Sequence, residues 1–287
     1  MRKFVLETPE TVHKGGTDSW HLFDTASELA TLARPFRHKE AANNEGRDSW
    51  SGGTFLQCVK WASAGRPDLV EASDAYMAQF ESLNVLAPRA RIIDDVSGAV
   101  PNIPAYLAGV PLNMRRRIKV ESEVAPLIVV VDGATSGGIP ADLMTRRASV
   151  LLALVRIVGA VRPVELWAGF GGGSHNVQSV GCYTFARVET SPLDVARAAF
   201  MLGHPSFTRG LAYNVAAGYE PHEYDYKWPY CGVALSPEKF KAVCAQAFPH
   251  GEVFATPGLY LTDPCVTNPV AWLKRTLTDL NVLSEEN

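Results

Sequence analysis

Asp132 is the acid whose setting most suggests chemistry. In LIVVVDGATSGGIP, residues 127–140, it follows five apolar residues and precedes a loop of small ones. A carboxylate at the carboxyl end of a buried strand, four residues before Ser136, places two hard oxygen ligands where a divalent metal would sit. Magnesium needs several oxygens in near-octahedral order, and Ala134 removes the hydroxyl that a middle serine would supply. The other reading is structural. Asp132 then caps the turn with its side chain, and Gly137–Gly138 relieve backbone strain. The residues leave both readings open, with Asp132 and Ser136 as weak metal candidates.

Cations and aromatics form the second group. MRRRIK, residues 114–119, is the most basic run, with Arg115, Arg116, Arg117 and Lys119; Arg146 and Arg147 follow in the next helix. Residues 101–165 hold eight basic and five acidic side chains, so the positive excess is local to the middle of a chain whose net charge is -3. Trp50 lies in a glycine-rich stretch. In EYDYKWPY, alternation places Tyr226 and Trp228 on one face of an extended segment. Phosphate-contacting cations with aromatic faces for bases are the means by which single-stranded nucleic acid is held, each stacked base contributing ~1–3 kcal/mol. The structural alternative is a solvated basic face and tyrosines that cover a core.

Other chemistries lack their signatures. The chain has no GxSxG and no GxxxxGK[ST], and the glycines of GFGGGS (169–174) are not followed by a helix, as a dinucleotide fingerprint requires. Its seven histidines are scattered, and Asp94–Asp95 sits in a proline-rich connector as a solvated pair. The five cysteines are odd in number, with no CxxC, and read as reduced thiols. These patterns predict a non-enzymatic protein without a cofactor. The opening MRKFVLETPE lacks an apolar core of a signal, and no 18-residue apolar run occurs, so the expectation is a cytoplasmic protein with no membrane contact.

The elements that must position these residues follow from periodicity. LIVVV is a continuous apolar run of strand length, as a strand buried on both faces should be. Residues 141–158 are an amphipathic helix, PVELWA (163–168) the next, parallel strand, GFGGGS a loop, and CYTFARVE (182–189) a half-buried strand. SPLDVARAAFML predicts a helix with Ser191 as N-cap and Pro192 first, and SPEKFKAVCAQAF repeats that pattern. EVFA predicts a short strand, NPVAWLKRTLTDL a terminal helix, and Asp24–Ala33 and Phe55–Gly65 earlier helices. Residues 86–114 read as a connector. Strand–helix alternation from 127 onward predicts an α/β core over residues 121–287, three layers about a mostly parallel sheet. Residues 1–120 are expected to be a mainly helical N-terminal region, free to pack with the core as one domain.

Two resemblances attach to these segments. Strand, Asp132-x-Ala134-x-Ser136, helix and strand resemble the first half of a von Willebrand factor A domain, and hence a Rossmann-like architecture. That family holds magnesium through an Asp-x-Ser-x-Ser loop with a Thr and an Asp from later loops. Here Ala134 breaks the loop pattern, Thr190 and Thr208 match the threonine by position alone, and no later Asp fits. SWSGGTFLQCVKWASAG, YLAGVPLNM and the unit LIVVVDGATSGG…RRASVLLALVRIVGAVRPVELWAG, within residues 48–170, resemble a family of tailed-bacteriophage proteins mostly without assigned function. That resemblance implies a single-stranded-DNA-binding cofactor that recruits a phage RNA polymerase. It implies no binding residues; Arg115, Arg116, Arg117, Lys119, Arg146, Arg147, Trp50, Tyr226 and Trp228 rest on charge and aromaticity. The alternative function is a protein-interaction module with a degenerate metal-binding Asp132 loop.

Overall fold

The computed structural model describes residues 1–7, 9, 17–33, 52–80, 90–119, 126–135, 138–174, 180–219 and 235–283. Its centre is LIVVVD. Strand β6 (Leu127–Asp132) is buried at every position, because Val129 and Val131 enter one apolar cluster while Ile128 and Val130 enter another. That is why its sequence does not alternate: both faces of a central parallel strand are covered.

Parallel partners flank β6 on both sides: β7 (Val164–Ser174) and β9 (Glu252–Thr256). Beyond β7 lie β8 (Val180–Val188), β2 (Thr17–Phe23) and β1 (Arg2–Glu7), completing a six-stranded sheet of order β1-β2-β8-β7-β6-β9. Three of its five pairings are parallel, so the sheet is mostly parallel, as expected.

Helices cover one face: α1 (Ala26–Leu32), α2 (Phe55–Ala64), α3 (Glu71–Phe80), the long α5 (Ala141–Val161) and α6 (Val195–Gly203). The π-helix Ser206–Ala212, α7 (Tyr213–Tyr219), α9 (Pro264–Thr267) and α10 (Pro269–Asp279) complete that side. On the other face α8 (Pro237–Ala247) presents Phe240 and Val243 to Trp20, Trp167 and Phe185. Residues 90–119 stand apart as a three-stranded antiparallel sheet, order β3-β5-β4. Its parts are β3 (Ala90–Asp95), β4 (Val100–Pro101), the short α4 (Ile103–Leu107) and β5 (Met114–Lys119).

Several expectations are corrected. GFGGGS is not a loop: β7 runs through it and pairs antiparallel with β8, so the two strands form a hairpin that begins after Ser174. The glycines make room. A side chain at Gly171 would press on the Tyr183 ring and the Asp132 carboxylate, and one at Gly169 would strike Thr184 and Phe185. The helix after β8 starts later than predicted. Asp194 caps it by accepting from Arg197 N–H at 2.9 Å, and the cis Ser191–Pro192 bond lies in a turn before it. The helix that the apolar period from Val70 to Leu83 predicts to start at Pro67 begins at Glu71 instead, and Pro67 opens a single 3₁₀ turn, Pro67–Leu69, ahead of it. The connector predicted at 86–114 holds the small sheet from residue 90 on. The first 120 residues thus contribute five strands as well as helices, and β2 enters the main sheet beside β8.

Other signals hold: Ser236 caps α8, accepting a backbone N–H at 3.4 Å, and of the two candidate caps of α1, Asp24 and Thr25, it is Thr25 that accepts one, at 3.1 Å. Among the described residues Cys58, Cys182, Cys244 and Cys265 are buried free thiols; Cys231 lies outside them. Among the described residues no helix is long and apolar enough to cross a membrane.

Candidate functional site

Asp132 ends β6 between β7 and β9, where open α/β sheets place their ligands. The side chain is 1% exposed and faces inward. Its Oδ1 accepts from Ala134 N–H at 2.8 Å and from Gly171 N–H at 2.9 Å. The first bond closes an Asx-type turn, and the second ties the loop to the glycine section of β7. Burial pushes the Asp132 carboxyl up to about 6; N–H bonds from Ala134, Gly171 and Gly258 and the charge of Arg147 act in the opposite sense.

Two arginines close the same edge. Arg147, on α5, is 3% exposed; its Nη1 donates to the Asp132 carbonyl at 2.8 Å and its Nη2 to the Pro257 carbonyl. Arg209, on the π-helix, donates from Nη2 to Thr135 Oγ1 at 3.0 Å and to the Ile139 carbonyl at 3.2 Å. Burial lowers the Arg209 pKa below the usual arginine value. Thr208, its neighbour, lies so close over Gly133 that a side chain there would collide with the Thr208 hydroxyl. Leu259 N–H bonds the Ala134 carbonyl at 3.2 Å and stitches the loop to the segment after β9. The space lined by Gly133, Thr135, Met144, Arg147 and Leu259 is too tight for a water molecule.

The described residues here do not fit a divalent metal. What faces the Asp132 carboxylate is a set of N–H donors with a guanidinium nearby, and a cation would meet donors in place of acceptors. Among the described residues no group of three or more His, Cys, Asp or Glu gathers as metal ligands. Ser136 lies outside the described residues. Thr190 is at the far end of β7, donating to the Val164 carbonyl at 2.6 Å, so Thr208 is the threonine that reaches the loop.

The basic run takes a different form. MRRRIK is β5, central in the small sheet. Arg115 and Arg116 are both exposed, but as neighbours in a strand they point to opposite faces. Asp94 stands opposite Arg115 in register, and Arg116 pairs with Asp95 at 3.4 Å, so the acidic pair expected to be merely solvated partly neutralises the strand. Arg117 and Lys119 continue β5 opposite Ile92 and Ala90. Arg146 is exposed on α5. Arg147, expected to face nucleic acid, is buried instead, with its guanidinium committed to two carbonyls. Trp50, Tyr226 and Trp228 lie outside the described residues.

Sequence reasoning missed Arg209. Its signal was present: from Ala198 to Tyr219 it is the sole Lys, Arg, Asp or Glu. A lone cation in such a run is either a boundary or a buried group with dedicated acceptors, and here it is the latter. His204, read as a loop or core histidine, is 7% exposed, and burial with Arg66 nearby holds its pKa down at about 4.

One family matches this chain: a domain of unknown function, DUF7192, over residues 9–256, and the chain belongs to that family. Compared with curated proteins and with solved structures, it matches none.

Proposed function

We propose that this family member is a non-enzymatic single-stranded-DNA-binding protein that acts in the host cytoplasm as a cofactor recruiting a bacteriophage RNA polymerase. One observation carries the reading: the 90–119 arm displays Arg115 and Arg116 to solvent and concentrates positive charge in a net acidic chain. It holds five basic residues against two acidic ones. The resemblance of segments within 48–170 to phage proteins supports it further. Arg115, Arg116, Arg117, Lys119 and Arg146 contact phosphates, and Trp50, Tyr226 and Trp228 stack bases. The test is fluorescence anisotropy with a labelled ~20-nucleotide single strand and the matching duplex, across salt. Each lost phosphate contact flattens the slope of log affinity against log salt by ~0.7 on single strands, so Arg115→Ala with Arg116→Ala removes ~1.4. An unchanged affinity and slope would place the contact elsewhere.

The architecture we propose for the core is a degenerate, three-layer von Willebrand A-like half. It is supported by the order of β6, Asp132 loop, α5 and parallel β7, and by Thr208 reaching that loop from a later segment. An interaction module built on the Asp132 loop would work without metal, since Arg147 and backbone N–H groups occupy the surroundings of the carboxylate.

A further inference from the structure

Beyond its cations, the arm has a tip of a different character. From Val96 to Met114 there is no Lys, Arg, Asp or Glu. Among the described residues, seven of the thirteen exposed large apolar side chains fall in this segment, led by Leu107 at 79%, Val96 at 68% and Tyr106 at 65%. The strands of the arm pack chiefly on one another and leave these side chains without cover from the body. Scattered surface apolar residues need no explanation, but a contiguous set marks a contact.

We infer that the tip, centred on Ile103, Tyr106, Leu107 and Leu112, docks on the body of a second copy of this chain, the two arms exchanged about a twofold axis. Three arguments select this occupant. The first is chemical. Six of the seven exposed side chains are aliphatic and one is aromatic, which suits a protein surface better than stacked bases. The second is area. The largest apolar patch of a typical monomer spans ~300–600 Å², and a single patch of that order falls short of the ~800 Å² per partner of a stable complex. Used reciprocally it suffices, since each copy then contributes an arm and the surface that receives the other's arm. The third is charge. Subtracting the arm's five basic and two acidic residues from the chain's 27 and 30 leaves 22 against 28. Arm on body therefore attracts, whereas arm on arm sets two basic elements together. The inference does not depend on DNA binding: the apolar tip makes the dimer, and the arginines of β5 lie at its base.

Sedimentation velocity of the whole chain from 1 to 100 μM, without nucleic acid, tests it. The expected result is a species of twice the monomer mass, weakened by salt, that Leu107→Asp and Ile103→Asp each convert to monomer by at least tenfold in dissociation constant. These side chains are exposed, so far-UV circular dichroism and Tm should stay unchanged, which separates lost docking from lost folding. A wild type that is monomeric throughout overturns the inference, as does a dimer indifferent to both tip substitutions. If the wild type is monomeric and the tip variants instead lose single-stranded DNA or vesicles of anionic phospholipid, the occupant is that ligand and the dimer is wrong. Arg146→Ala, exposed on α5 outside the arm, changes anisotropy without changing mass, so failure of the dimer and failure of the DNA reading are told apart.

Discussion

The Asp132 loop and the 90–119 arm handle charge in opposite ways. At the loop, a carboxylate and two guanidinium groups are buried, each bonded to fixed partners: Asp132 to backbone N–H groups, Arg147 to two carbonyls, Arg209 to Thr135 and Ile139. On the arm, Arg115 and Arg116 are exposed and the neighbouring tip shows apolar side chains to solvent. A charge saturated by its own chain organises structure, while one displayed with loosely held partners is available to something else. By this comparison, the residues that looked most like a catalytic or metal centre hold the fold together. The region that looked like a connector carries the displayed surface.

Substitutions can break this contrast, and the largest effect belongs to the loop. Asp132→Ala leaves several buried N–H donors without an acceptor and should cost about 3 kcal/mol or more by denaturant unfolding. A loss below about 1 kcal/mol would mean that the carboxylate is not the organiser. Arg147→Met keeps much of the volume but removes the donor to the Asp132 and Pro257 carbonyls; about 2 kcal/mol is expected, with no change in DNA affinity. Reduced DNA affinity at unchanged stability would return Arg147 to the binding surface.

Gly133→Ala should cost ~1–3 kcal/mol by overpacking against Thr208, and Thr208→Ala in the same chain should recover part of it. Simple additivity of the two would show that Thr208 does not sit over the loop.

A smaller effect comes with pH. Burial holds His21 and His204 at about 4, below their unfolded value of 6.5, so each supplies stability that is present above 6.5 and lost as pH falls toward 4. Asp132 runs the other way: raised from 3.8 to about 6, it favours the fold below 3.8, and that contribution is lost as pH rises through 6. Two histidines against one acid leave a net decline in Tm on acidification from 6.5 to 4. Asp132→Asn removes the opposing contribution and should steepen the decline between pH 6 and 4; an unaltered profile would remove Asp132 from the balance. The smallest stability effect is on the arm. Arg115→Ala and Arg116→Ala should each change unfolding free energy by less than about 0.5 kcal/mol, because the Arg116–Asp95 pair is exposed.

Much of the core could be read from residue order. Five consecutive apolar residues marked β6 as buried on both faces, threonine and serine caps marked the starts of α1 and α8, and lone acids and small residues marked the turn after Asp132. The misreadings share a cause. GFGGGS has only Phe170 and Ser174 among four glycines, too few side chains to show alternation, so its strand character comes from β8, whose Tyr183 and Phe185 need the space the glycines leave. MRRRIK has no apolar period, yet it is a strand because β3 and β4 pair with it on both sides.

Local composition and periodicity determined the βαβ unit, the capped helices, the acid at the strand end and the basic excess in the middle, since each depends on neighbours in sequence. Tertiary structure alone decided that β2 joins the sheet beside β8, and that Arg147 and Arg209 turn inward to the loop while Arg115 and Arg116 turn out. Whether a charged side chain is a binding group or a structural one depends on which acceptors lie within about 3 Å of it. Those acceptors, Asp132 and Pro257 for Arg147 and Thr135 and Ile139 for Arg209, lie up to 110 positions away along the chain.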